Sequence, residues 1–236
     1  MASNYSWPVL GISGGDPSFR HDDGTADPGV TAALEAFAAG QGSERAALTA
    51  LACGRLLVPV VAVPADQLRA EKASEMAMPT LIGLDGRRAI PAFTCLDAMH
   101  RWQQGARPVP AAARQVWQAA VDGPCAVVID VAGPVRLAVE GARLAALARG
   151  DAVPAPWADP DVREVVSDVL TGELTVAAFE LRPGGAERDL VIALTIAPDS
   201  AGRDVAGLAT EAGSAVMTRL GSRLRRGVAI WLGSGT

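Results

Sequence analysis

Gly11-Ile12-Ser13-Gly14-Gly15 has the G-x-S-x-G spacing of a nucleophile elbow. That motif works because a sharp strand-to-helix turn lifts the serine oxygen clear of a sheet. Only ten residues precede it here, too few to lie inside a sheet and also supply an oxyanion-hole loop, and Asp16-Pro17 follows instead of a helical period. It reads as a flexible turn. The chain has 2 histidines, His21 and His100. A Ser-His-Asp triad or a three-histidine metal site would draw on residues this sequence hardly has. His21-Asp22-Asp23-Gly24 lacks the spaced oxygen ligands of a calcium loop and reads as a solvated turn. His100, beside Arg101, reads as a surface or satisfied core residue.

The cysteines Cys53, Cys95 and Cys125 are odd in number and widely spaced, so they form no disulfide framework. Each sits in an apolar context that suits a buried thiol. Cys95 is the candidate reactive thiol, because a helix N-terminus stabilises a thiolate; its neighbours Phe93 and Leu96 favour a structural role instead. Asp159 and Asp161 are accounted for as helix caps. C-x-x-C, Walker A, G-x-G-x-x-G and H-E-x-x-H motifs are absent. The sequence implies no catalytic residue, no metal and no cofactor. Asp22, Asp23 and Trp157 are candidates for an interaction surface or groove.

The elements that would position these groups divide the chain into an extended arm (1–27), an α+β domain (28–150), a proline-stiffened linker (151–158) and a smaller α-β-β-α-β domain (159–236). Trp7 and Phe19 argue that parts of the arm lie against the body. Asp27-Pro28 opens a helix that buries Leu34 and Phe37 and stops at Gly40. A second follows Ser43, buries Leu48 and Leu51, and ends at Gly54. Arg55–Val63 is β-branched and bounded by breakers, hence a strand, with Pro59 marking an edge or bulge. Residues 64–75 are a polar excursion. Met76–Leu84 and Arg87–Phe93 flank Asp85-Gly86, which predicts a hairpin with a type I′ turn. Thr94 with Asp97 resembles a capping box for a helix that turns Leu96, Met99 and Trp102 inward. A helix over Ala111–Val121, strands Cys125–Val131 and Val135–Val139, and a helix over 140–149 complete the larger domain.

In the smaller domain Asp159 caps a helix carrying Val162, Val165, Val166 and Val169. Strands Leu174–Leu181 and Leu190–Ile196 join through Pro183-Gly184-Gly185. A helix with Val205, Leu208, Ala212 and Val216 on one stripe precedes a last strand, Val228–Leu232. This order predicts an antiparallel sheet with helices on one face, so the fold class is α+β with mixed or antiparallel sheets. Trp157 reads as a plug between the domains or part of a groove there.

Hydrophobic residues are 50% of the 236, which is ample for a core, while aromatics are only 4%. Lys72 is the sole lysine among 21 basic residues, the codon bias expected of a high-GC bacterium. A net charge of −5 argues against nucleic acid or an anionic membrane as partner. The N-terminus lacks a basic and apolar leader, and no apolar run approaches the roughly 20 residues of a membrane span, so a cytoplasmic location is expected.

Ala47-Leu48, Gly54-Arg55-Leu56-Leu57-Val58-Pro59-Val60, Pro79-Thr80-Leu81 with Gly86 and Ala92-Phe93, and Val128-Ile129-Asp130 with Gly133-Pro134 resemble the SseB family, of the enhanced-serine-sensitivity type. Asp22-Asp23-Gly24 and Ala26-Asp27-Pro28 look like the lead-in of its high-GC members. The resemblance covers roughly residues 19–150, and the part from Asp159 looks like the smaller domain that often follows. It implies an α+β N-terminal domain, no established enzymatic activity and no defined cofactor, and it carries over no catalytic residues. Gly14-Gly15-Asp16-Pro17-Ser18 departs from the more apolar arm the family suggests. A secretion-translocon protein of the same name shows no likeness.

These readings favour a non-catalytic interaction or adaptor protein, with an unidentified protein partner or self-association. The alternatives are a sensor of a small molecule, amino-acid-related given the family's growth phenotype, and an enzyme using Cys95.

Overall fold

The computed structural model describes residues 17–62, 76–123, 125–198, 200 and 204–234. The Gly11–Gly15 turn, Trp7 and the 64–75 excursion lie outside them. The chain forms two compact units: residues 1–35 with 48–153, and residues 36–47 with 154–236.

Helix α1 (Pro28–Ala38) starts where the sequence places it. Asp27 Oδ1 accepts the amides of Gly29 (2.7 Å) and Val30 (3.0 Å), and Pro28 sits where no amide is needed. Ser43 Oγ caps α2 (Glu44–Ala52) in the same way, accepting from Ala46 at 3.2 Å. Leu34, Phe37, Leu48 and Leu51 are buried as expected.

In the first unit β1 (Arg55–Ala62) runs between β2 (Met76–Ala77) and β5 (Arg107–Ala112), antiparallel to both. Leu56, Leu57 and Val58 are all buried, which explains an apolar run without alternation. Pro59 marks neither an edge nor a bulge. It lies opposite Pro108, and Leu57, two residues before it, turns its own amide and carbonyl away from β5 to bond Phe93 at 2.8 and 2.9 Å. Strand alternation gives Pro59 the same outward orientation, so the ladder loses nothing. The β5 segment corrects a second expectation: Arg107–Ala112 is a strand, and α4 (Ala113–Asp122) begins only after it. Pro108 and Pro110 are tolerated because β5 is a sheet edge and alternate residues direct their imide nitrogens off it.

A second sheet has the order β3 (Leu81–Ile82), β4 (Arg88–Ala92), β6 (Ala126–Ile129), β7 (Leu137–Val139). The Asp85-Gly86 hairpin forms, with a different turn. Gly86 alone takes a positive φ, +80°, while its amide bonds Gly83 and the Gly83 amide bonds Arg87. The loop is therefore longer than a two-residue I′ turn, and Leu84 is exposed at its tip. Strands β4 and β6 are parallel, and the chain between them supplies α3 (Leu96–Trp102), β5 and α4. Helix α4 packs on α5 (Gly141–Arg149) and on the sheet, burying Val116, Trp117 and Ala120 completely. Each such large apolar side chain contributes about 1.5–3 kcal/mol.

The second unit holds α6 (Pro160–Leu170), β8 (Val176–Pro183), β9 (Leu190–Ile196), α7 (Val205–Leu220) and β10 (Val228–Ser234). Its sheet order is β10-β9-β8. Strands β8 and β9 form the expected antiparallel pair, but β10 runs parallel to β9. The sheet is thus mixed, because α7 carries the chain back to the start of β9 before β10 begins, as a β-α-β crossover must. Val162 and Val166 of α6 and Val216 and Leu220 of α7 cover Leu190, Ile192 and Leu194. Among the described residues, no helix is long and apolar enough to cross a membrane.

Candidate functional site

Asp22 and Asp23 come together at a recess of about 300 Å³ in the first unit, with Thr25, Gly54, Arg55 and Thr94 on its walls. Arg55 organises it from the start of β1. Its Nε donates to Asp22 Oδ2 at 2.6 Å, one terminal nitrogen to the Thr94 carbonyl at 2.8 Å, and the other to the Thr25 carbonyl at 2.7 Å. Only a planar guanidinium can serve these directions at once. Asp22 Oδ1 accepts the Gly24 amide at 2.8 Å. Gly24 is obligatory: its φ is +75°, and a Cβ there would collide with the Leu96 side chain. Phe19, at the border of the described segment, is half-buried and lines a neighbouring recess with Leu57 and Leu96. Asp23 turns outward. Hydrogen bonds from the Thr25 amide (2.9 Å), and then from the Thr25 hydroxyl (2.7 Å), hold its carboxyl below the usual range. His21 and His100 are both exposed.

Behind this recess, at the C-terminal ends of β4 and β6, lies a carboxylate that sequence reading passed over. Asp130 is 5% exposed and has a left-handed backbone, φ 47°. Its two oxygens take the Thr94 amide (2.9 Å) and the Thr94 hydroxyl (2.7 Å). Burial pushes its pKa up, against the two Thr94 bonds and the Arg101 charge, which pull it down. The signal was present in the sequence: Asp130 follows an apolar strand and precedes Gly133-Pro134, a turn where Asp and Asn tolerate positive φ. With its hydroxyl engaged by Asp130, Thr94 does not cap α3. Cys95 does, its Sγ accepting the Ala98 amide at 3.5 Å. Cys95 is half-buried and Cys125 buried, whereas Cys53 is exposed, contrary to the expectation of three buried thiols. It sits in the turn after α2, past the last residue of the buried face.

The other candidates belong to the second unit. Trp157 lies in a 3-10 turn (Pro156–Ala158) and packs on the core of that same unit, beside β8, β9 and α6. Asp159 caps α6 by accepting the Asp161 amide at 2.9 Å, but capping does not exhaust its role. It is also paired with Arg223, which reaches Glu44 at 3.3 Å. Sequence reading also passed over Trp231, which is 56% exposed, and its neighbour Leu232, 48% exposed. Parity gives Trp231 away: Val228 and Ile230 pack on the core, so the residue between Ile230 and Leu232 faces outward. Among the described residues no three His, Cys, Asp or Glu side chains group as a metal site would require.

The fold and these sites define a two-unit α+β protein whose buried polar side chains brace turns and helix ends. Residues 30–146 match the profile of the SseB protein N-terminal domain, and the chain belongs to the SseB family. No curated protein and no solved structure matches it.

The Arg55 arrangement yields a direct expectation. Arg55→Ala removes an ion pair whose side chains are 11% and 12% exposed. A loss of about 2 kcal/mol is expected in urea unfolding, with faster proteolytic cleavage between residues 17 and 27. Arg55→Lys, a point charge, should fall between. Cleavage at the wild-type rate in Arg55→Ala would show that the arm is held some other way.

Proposed function

We propose that this SseB-family protein is a non-catalytic interaction module whose contact surface is the open edge of the second unit's sheet. One observation carries this reading: β10, an edge strand among the described residues, bears an exposed Trp231 beside an exposed Leu232 and has no charged residue along its length. Edge strands ordinarily carry charges, prolines or bulges that discourage pairing, and large exposed aromatics mark sites where another surface docks. The groups that chemistry would need favour the same reading. Asp22, Asp23 and Cys95 each hold a backbone amide of a turn or helix end. The free cysteines suit a reducing compartment, in keeping with a cytoplasmic protein.

Hydroxyl-radical footprinting tests this. Trp231 oxidation in concentrated cell extract should fall severalfold relative to dilute purified protein. Leu84, exposed on the β3–β4 turn of the first unit, should react equally in both. A Trp231 that oxidises as fast in extract as alone would remove the proposed surface.

A further inference from the structure

Resting on that reading, we infer that the occupant of the β10 edge is the β10 strand of a second copy of this chain, antiparallel about a twofold axis through Trp231.

The two edges of the sheet are built differently. Strand β8 has a register shift between Val176 and Ala178, ends in Pro183, and carries the exposed Glu180–Arg182 ion pair. These are the features that turn a further strand away. Strand β10 reads Val-Ala-Ile-Trp-Leu-Gly-Ser and stays in unbroken register with β9 from Val228↔Leu190 to Ser234↔Ile196. It is unbulged, uncharged and free of proline, so one edge is closed to pairing and the other is suited to it.

The choice of a second copy follows from register and charge. In an antiparallel pair, residues directly opposite share a face of the sheet. Trp231 is the middle residue of Val228–Ser234, so an axis there pairs the whole strand with its copy. Ile230 then meets Leu232 of the copy on the face that α6 and α7 cover, extending the apolar layer over a side chain now half exposed. On the other face the two indoles meet at the axis. Ala229 opposite Gly233 leaves room beside them for the rings, and offset aromatic pairs add about 0.5–1.5 kcal/mol beyond burial. No like charges are opposed, because β10 has none. A charged partner strand would find no countercharge on it. Such a contact is isologous, and it closes into a dimer with one six-stranded sheet instead of propagating.

Sedimentation of the purified full chain over a dilution series tests the inference. The wild type should approach twice its 24.2 kDa. Trp231→Lys, which sets two charges against each other at the axis, should sediment at the single mass with an unchanged circular dichroism spectrum, while Leu84→Lys keeps the doubled mass. Cysteine variants report the register in a Cys53→Ser background. Trp231→Cys should cross-link to its copy on oxidation, since opposed residues lie within disulfide range. Ala229→Cys should not, because its copy stands about 13 Å along the strand. A single mass at about 100 μM, a Trp231→Lys chain that still doubles, or equal cross-linking at both positions would overturn the pairing. If the chain is monomeric but Trp231 is protected in extract, the edge binds another protein and only the self-pairing is lost. If it is monomeric and unprotected, both readings fail.

Discussion

Replacing Arg223 with alanine is expected to cost about 3–5 kcal/mol, the range for breaking a buried ion pair from one side. The Asp159 side chain is wholly buried, Arg223 is 12% exposed and Glu44 9%. After truncation Asp159 keeps the Asp161 amide but has lost its countercharge. Urea unfolding should show the loss, and the double variant Arg223→Ala with Asp159→Asn should recover much of it, because a neutral amide keeps the cap without a stranded charge. If Arg223→Ala unfolds within about 1 kcal/mol of wild type, as surface pairs do, the pair is solvated and this account of it is wrong.

The second large effect is expected at Asp130. Asp130→Ala leaves the Thr94 amide without its acceptor and places a Cβ residue with no local hydrogen bond in the left-handed region. Together these should cost about 3–4 kcal/mol. Asp130→Asn should be nearly neutral, since Asn tolerates that backbone, its oxygen can accept the Thr94 amide, and its NH₂ can donate to the hydroxyl. The two also differ in pH dependence. The folded-state pKa of Asp130 is raised by burial above its ordinary 3.8. Its contribution to stability is therefore complete below about pH 4 and is lost as pH rises through the raised value. Asp130→Asn has no such term, so its stability relative to wild type should grow over that window and then level off. A difference that stays constant from pH 3 to 8 would mean that the carboxyl titrates normally and is not desolvated.

Much of the fold could be read from local chemistry. Asp27, Ser43 and Asp159 cap the helices that periodicity assigns to them, because a cap depends on residues within one turn. The structure departs from the local pattern where a distant partner decides the outcome. Thr94 reads as a cap until Asp130, 36 residues on, takes its hydroxyl. Pro108 and Pro110 read as a helix lead-in because nothing nearby reveals that β1 lies alongside. The direction of β10 depends on which side of β9 it joins, which hydrophobic pattern does not encode. The candidate residues followed the same rule. Asp22 and Asp23 are legible from their turn, but the partner that fixes Asp22 is Arg55, 33 residues away. Local sequence accounts for Asp159 only as far as its own helix, and Glu44 and Arg223 lie out of local reach.

The second unit is assembled from two stretches of chain, 36–47 and 154–236, separated by all of 48–153. During synthesis the short stretch emerges first. At about 5–20 residues per second, it waits on the order of ten seconds for the rest of its unit. In that interval Phe37, almost wholly buried in the finished protein, lacks the Arg225 guanidinium that stands over its ring. Dissecting the protein at the 151–158 junction would make that interval permanent, and each expressed half would lack part of a core.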